Sequence, residues 1–245
     1  MSKRAQKKLQ AGLDQVENFF ESTVETHMEY VKASQQRSKI GLVIGAIPHI
    51  VALLFPAVIV WIAKPSSSLF SWHPTLMSLG FMLLMSEAIL IFSRWSSPVY
   101  AHPRSSKTSW HWLLHTSAMV CIYTGLVIIS VVKYQGGKPH YSTWHAQTGL
   151  VACGLLALEA SGGLLQLYPD ILPFKLRPIT VKRLHAFSGL VTYTTLMAAT
   201  VMGLYSSWFL ANTTHDLLWK ACVAAPPIVL VAVVIQVAKN HLTWL

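Results

Sequence analysis

Charge is what this sequence is most short of. Only 11% of its 245 residues are charged, against roughly 25% in soluble globular domains, which excludes an ordinary soluble fold. The shortage is one-sided: nine acidic residues stand against nineteen basic ones. Cysteine is scarce too. Cys121, Cys153 and Cys222 each lie inside an apolar stretch, without zinc-type spacing or the pairing of a disulfide framework, and read as small core residues. The first 39 residues hold no apolar run, so no cleavable signal peptide is expected. What remains is 53% hydrophobic, in runs that follow one another too closely for a second soluble domain.

Six of these runs are long enough for a bilayer core of roughly 30 Å, which takes about 20 helical residues. The first lies between Lys39 and Lys64, where Pro48 and Pro56 predict kinks rather than a break. The second runs from about His73 to Ser93 and the third lies between Lys107 and Lys133. The fourth follows Lys138 and ends near Leu167. The fifth runs from near Arg183 to about Leu210, and the sixth lies between Lys220 and Lys239. Six spans put both termini on one side. That side carries Lys3, Arg4, Lys7, Lys8, Lys32, Arg37 and Lys39, then Arg94, Arg104 and Lys107, then Lys175, Arg177, Lys182 and Arg183, and finally Lys239. The other side has only Lys64, Lys133, Lys138 and Lys220. Basic loops stay in the cytosol, so both termini are expected there. The net charge of +10 is therefore a matter of membrane topology, and no nucleic-acid partner is expected. Residues 1–39 form a cytosolic extension in which Leu9, Leu13, Val16, Phe20, Val24, His27 and Val31 recur at helical spacing on one face. Such a helix suits a membrane surface, a short coiled coil or the protein's own bundle. The transmembrane domain is expected over 40–240, with a short cytosolic tail at 241–245.

Histidine is placed with unusual regularity. His73, His111, His145 and His185 each sit just inside the start of a long apolar run, in spans two to five. Successive spans alternate direction. His73 and His145 therefore lie at one depth near the non-cytosolic face, and His111 and His185 at one depth near the cytosolic face. Two imidazoles from neighbouring helices at a common depth can clamp a haem iron from both sides. Such an iron carries electrons and has no open site for oxygen. A single histidine of this kind is adequately explained as interfacial or hydrogen-bonded without iron. Two depth-matched pairs are not.

A weak internal repeat accompanies the pairs. His73 is followed fourteen residues later by Glu87-Ala88, and His145 fourteen residues later by Glu159-Ala160. Fourteen residues is nearly four helical turns, so each glutamate is expected on the face of its histidine, about 21 Å deeper. Carboxylates inside a membrane are costly and usually functional. Proton balance, contact with the cytosolic haem, and polar bridging between helices are the roles open to them, with Glu87 the stronger candidate.

At these residues the chain resembles the cytochrome b561 family of two-haem, ascorbate-dependent transmembrane reductases. The run SLFSWHPTLMSLGFMLLMSEAILIFS is similar to the family's second-helix signature. HWLLH, WHAQTGL and LHAFSGL resemble its other ligand regions. The resemblance covers about 40–240 and is nearest to the short endomembrane members.

The resemblance implies an all-α membrane protein in which helices two to five form a central four-helix bundle holding two b haems, with one flanking helix at each end. It implies His73 with His145 on the non-cytosolic haem and His111 with His185 on the cytosolic one. His115, four residues past His111, becomes a neighbour or substitute, and His49 and His241 fall outside the haem-binding core. It implies electron flow from cytosolic ascorbate to monodehydroascorbate or ferric chelates on the far side, in an endoplasmic-reticulum or vesicle membrane, with a homodimer as the expected assembly. Ascorbate is an anion, and Lys107, Lys182 and Arg183 are placed to attract it. Lys138, His140 and Tyr141 are placed for the acceptor. The competing readings are a quinol-dependent two-haem b subunit feeding a soluble partner, and a haem-free proton or metal transporter using the histidines and Glu87.

Overall fold

The computed structural model describes residues 3–35, 39–93, 95–168 and 177–241. Helix α1 covers Lys3–Gln35 and α2 covers Lys39–Ala63. The second apolar run is built in three consecutive pieces: α3 (Trp72–Ser78), a π-helical segment (Leu79–Met85) and α4 (Ser86–Leu90). Then come α5 (Arg104–Gln135), α6 (Trp144–Leu167), α7 (Pro178–Gly203), the short α8 (Ser207–Asn212) and α9 (Asp216–His241). There is no strand among the described residues.

Six of these segments are long and apolar enough to cross a membrane: Val43–Ala63, Trp72–Leu90, Arg104–Gln135, Trp144–Leu167, Pro178–Gly203 and Asp216–Asn240. The expected all-α, six-span architecture is present, and the protein is a multi-pass membrane protein. Its outer surface has the matching chemistry. Trp61 on α2, Val120 on α5, Leu158 on α6, Phe187 on α7 and Val231 on α9 are all largely exposed, a surface suited to lipid rather than water.

Two details differ from expectation. The fifth span ends at Gly203 rather than near Leu210. Ser206 interrupts it by capping α8, its hydroxyl accepting from the Phe209 N–H at 3.3 Å. Serine at this place competes with helix continuation. The second difference is the π segment. It puts Gly80 against α5, where a Cβ would lie 2.7 Å from Ile122 Cγ1. No side chain larger than hydrogen fits there. By contrast, α2 runs unbroken through Pro48 and Pro56. Of the basic residues assigned to one side, Arg37, Arg94 and Lys175 lie outside the described residues.

The four inner spans form two tightly packed pairs. The α3–π–α4 span packs along α5, and α6 packs along α7. The flanking α2 and α9 touch each other, and α9 also packs on α7. The two inner pairs do not run backbone-to-backbone against each other. Buried side chains fill the middle of the gap, among them Met82, Met85, Ile122, Leu156, Leu196 and Met197. Two tyrosines tie it together. Tyr123 on α5 donates to the Cys153 carbonyl on α6 at 2.8 Å. Tyr193 on α7 is hydrogen-bonded to Ser86 at 2.7 Å.

Candidate functional site

The four histidines come together as two pairs across that gap. The His73 and His145 ring centroids are 6.3 Å apart, and those of His111 and His185 are 6.4 Å apart. In both pairs the rings are nearly perpendicular, at 78° and 79°. The spacing is informative. With a metal–nitrogen bond of about 2.0 Å and about 1.1 Å from ring nitrogen to centroid, two imidazoles on opposite sides of one metal ion have centroids about 6.2 Å apart. Both pairs have this spacing.

The ring nitrogens are set by their hydrogen-bond partners. His73 Nδ1 donates to the Gly125 carbonyl at 3.0 Å. His111 Nδ1 donates to the Ala88 carbonyl at 2.7 Å, and His145 Nδ1 to the Ala199 carbonyl at 2.9 Å. A carbonyl can only accept, so Nδ1 carries the proton and Nε2 keeps a lone pair for a metal. His185 differs. Its Nδ1 lies 2.6 Å from Glu159 Oε1, close but without the alignment of a full hydrogen bond. Gly203 makes room for one ring: a Cβ there would sit 3.1 Å from His145 Cε1. The spacing of both pairs and the tautomers of three rings fit b haem.

His115 stacks edge-on against His111, with centroids 4.4 Å apart. It joins His111, His185 and Glu159 in lining a cavity of about 2230 Å³, well above the roughly 300–1,000 Å³ of small-ligand pockets. Lys107, Lys182 and Arg104 line the same cavity. Lys107 Nζ donates to the Tyr100 carbonyl. The Arg104 guanidinium stands 5.9 Å from the Phe92 ring, which in turn lies 5.3 Å from His111. Arg183 is exposed and does not line this cavity. At the other end, Lys138, His140 and Tyr141 are all exposed in the turn between α5 and α6. The His140 and Tyr141 rings are 5.9 Å apart. Tyr141 takes a positive φ of 51°, uncommon for a residue with a side chain, and its carbonyl accepts from Gln147 Nε2 at 3.1 Å.

Glu87 is not on the face of His73. The fourteen-residue step already stops about 40° short of four full turns. The π segment then takes more residues per turn, so seven of them lag by about a third of a turn. Glu87 is therefore carried to the far side, where both its oxygens meet His49 Nδ1 on α2, at 2.7 and 2.8 Å. Glu159, on a helix without such a segment, lies at the opposite level from His145, as a step of about 21 Å predicts, and meets His185 there. The His49–Glu87 pair escaped the sequence reading. Counting depth from Lys39 and Arg94 would have placed both residues about 10–15 Å inside the same face.

The fold is that of a polytopic α-helical membrane protein with two histidine pairs in its interior. Comparison with known proteins places it further: the eukaryotic cytochrome b561 family matches residues 72–210, and the chain belongs to that family. It is similar to transmembrane reductase CYB561D2 of Bos taurus, with 41% identity over 81% of this chain and 88% of the relative. The human CYB561D2 is 40% identical over the same shares. The plasma membrane ascorbate-dependent reductase CYBRD1 of Mus musculus is 28% identical over 57% of this chain and 47% of its own length. The chain is thus a transmembrane reductase of the cytochrome b561 type, an oxidoreductase whose family binds b haem.

Proposed function

We propose that the chain carries single electrons from cytosolic ascorbate to monodehydroascorbate or a ferric chelate on the other side of its membrane. Two b haems serve it, one held by His73 and His145 and the other by His111 and His185. Bound between two imidazoles, haem exchanges one electron at a time and activates no substrate at iron. The matched 6.3 and 6.4 Å ring spacings carry this reading. They recur at two levels, in helices that run in opposite directions.

The chain's own residues supply the rest. The carbonyls of Gly125, Ala88 and Ala199 hold three ligand rings in the tautomer that leaves Nε2 free. Buried methionines, leucines and the two bridging tyrosines pack between the pairs. Lys107, Lys182 and Arg104 give the cavity at the His111–His185 end a positive field, which attracts an anionic donor; Arg183 adds to it from the surface. Lys138, His140 and Tyr141 receive the acceptor at the opposite end. In this reading both termini and the 1–39 extension are cytosolic, the b561 domain covers 40–240, residues 241–245 form the cytosolic C-terminus, and the protein is a homodimer in the endoplasmic reticulum or a vesicle membrane. The ascorbate-dependent name of CYBRD1 supports the donor.

The test is stopped-flow reduction of the purified protein. Ascorbate is expected to reduce its haem rapidly, and Lys107→Gln with Lys182→Gln to raise the ascorbate concentration needed several-fold. Reduction by a quinol, with no response to ascorbate, would overturn the donor.

A further inference from the structure

The two histidine pairs are not equivalent. Three of the four rings present Nδ1 to a neutral backbone carbonyl. Only His185 presents it to a carboxylate, Glu159, at 2.6 Å. The carboxylate is seated in a purpose-shaped place. Its second oxygen accepts from Ser188 Oγ on α7 at 2.6 Å. Gly189 leaves it room: a Cβ there would stand 3.0 Å from Glu159 Oε1. Ser188 and Gly189 lie one turn beyond His185 on the same helix, so α7 supplies both the ring and the cradle for the group that faces it.

We propose that Glu159 tunes the His111–His185 level, holding its haem at a lower reduction potential than a carbonyl partner would and so marking it as the donor side of the relay. This rests on His185 holding one haem, as proposed above. A carboxylate 2.6 Å from Nδ1, even without an aligned hydrogen bond, favours positive charge on the imidazole and so raises the electron density that the ring donates through Nε2. Its negative charge also favours the oxidised iron, which carries one more positive charge than the reduced one. Exchange of one electron between the two levels oxidises one iron and reduces the other, and no bond or proton moves. Lowering the potential at the His111–His185 level therefore favours passage toward His73–His145. Glu159 is a positioning residue here, since it touches the ring and not the iron.

The experiment is a redox titration of the full-length protein in lipid nanodiscs, read by visible absorption and by low-temperature electron paramagnetic resonance. Glu159→Gln is expected to shift one of the two one-electron steps upward by at least tenfold in its equilibrium constant, 59 mV, and to move the signal of one low-spin haem. The other step and signal stay in place. Ser188→Ala, which frees the carboxylate without removing it, is expected to shift the same step by less. Unchanged steps in both variants would overturn the proposal, as would equal shifts of both steps. His185→Ala separates the two layers of the argument. If it loses one haem while Glu159→Gln shifts nothing, only the tuning role fails. If it keeps both haems, the ligand assignment itself fails.

Discussion

At the scale of single residues, the proposed ligand set turns on the choice between two neighbouring histidines. His111 and His115 share a face of α5, and both line the large cavity. Only His111 has its Nδ1 engaged by a carbonyl and its ring at ligand spacing from His185. His111→Ala is therefore expected to reduce haem content from two per chain to one, and His115→Ala to leave it at two, measured as pyridine haemochromogen against protein. The reverse pattern would move the ligand one turn deeper. Gly203 makes a second residue-scale test. An alanine there presses its Cβ to 3.1 Å from His145 Cε1. Overpacking of this kind costs about 1–3 kcal/mol. Here it also tilts the His145 ring, so Gly203→Ala should lower the melting temperature and, with His145 as the proposed ligand, broaden the spectrum of one haem only.

The element that changes the account most is the π segment, Leu79–Met85. It lets Gly80 close against α5, and it turns Glu87 away from the histidine pairs toward His49. Glu87→Gln should accordingly leave haem content and both haem spectra unchanged while loosening α2 from the bundle, seen as a lower melting temperature. Loss of a haem in that variant would contradict the placement. The bridge between the helix pairs can be tested the same way. Tyr193→Phe removes a buried hydrogen bond to Ser86, worth about 0.6–1.7 kcal/mol within a membrane bundle, and should destabilise by that order. These elements also mark where the sequence stops being readable. The spans were legible because a bilayer imposes length and apolarity on each of them, and the histidine pairs because alternating direction converts position in the chain into depth. Depth survives small errors in helix geometry. Rotational phase does not: seven π-helical residues moved Glu87 to another face, and nothing in Leu79–Met85 as a string of apolar residues announces that winding. The bond between Tyr193 and Ser86 was hidden for a related reason, since it depends on the rotation of two helices far apart in the chain.

At the scale of the whole molecule, the protein has a gap between two helix pairs, a histidine pair near each end of it, and a belt of cations at one mouth. The cation belt predicts ionic-strength dependence: reduction by an anionic donor should slow as salt rises and the field at Lys107, Lys182 and Arg104 is screened. The central claim, that the two levels form one path across the membrane, is tested most directly in sealed vesicles. The full-length protein is reconstituted with ascorbate trapped inside, and a membrane-impermeant ferric chelate is added outside. The account predicts ferrous product outside at a rate proportional to protein content, and little or none when either His145 or His185 is replaced by alanine. Undiminished reduction in both of those variants, or none with the haem-loaded wild-type protein, would contradict it.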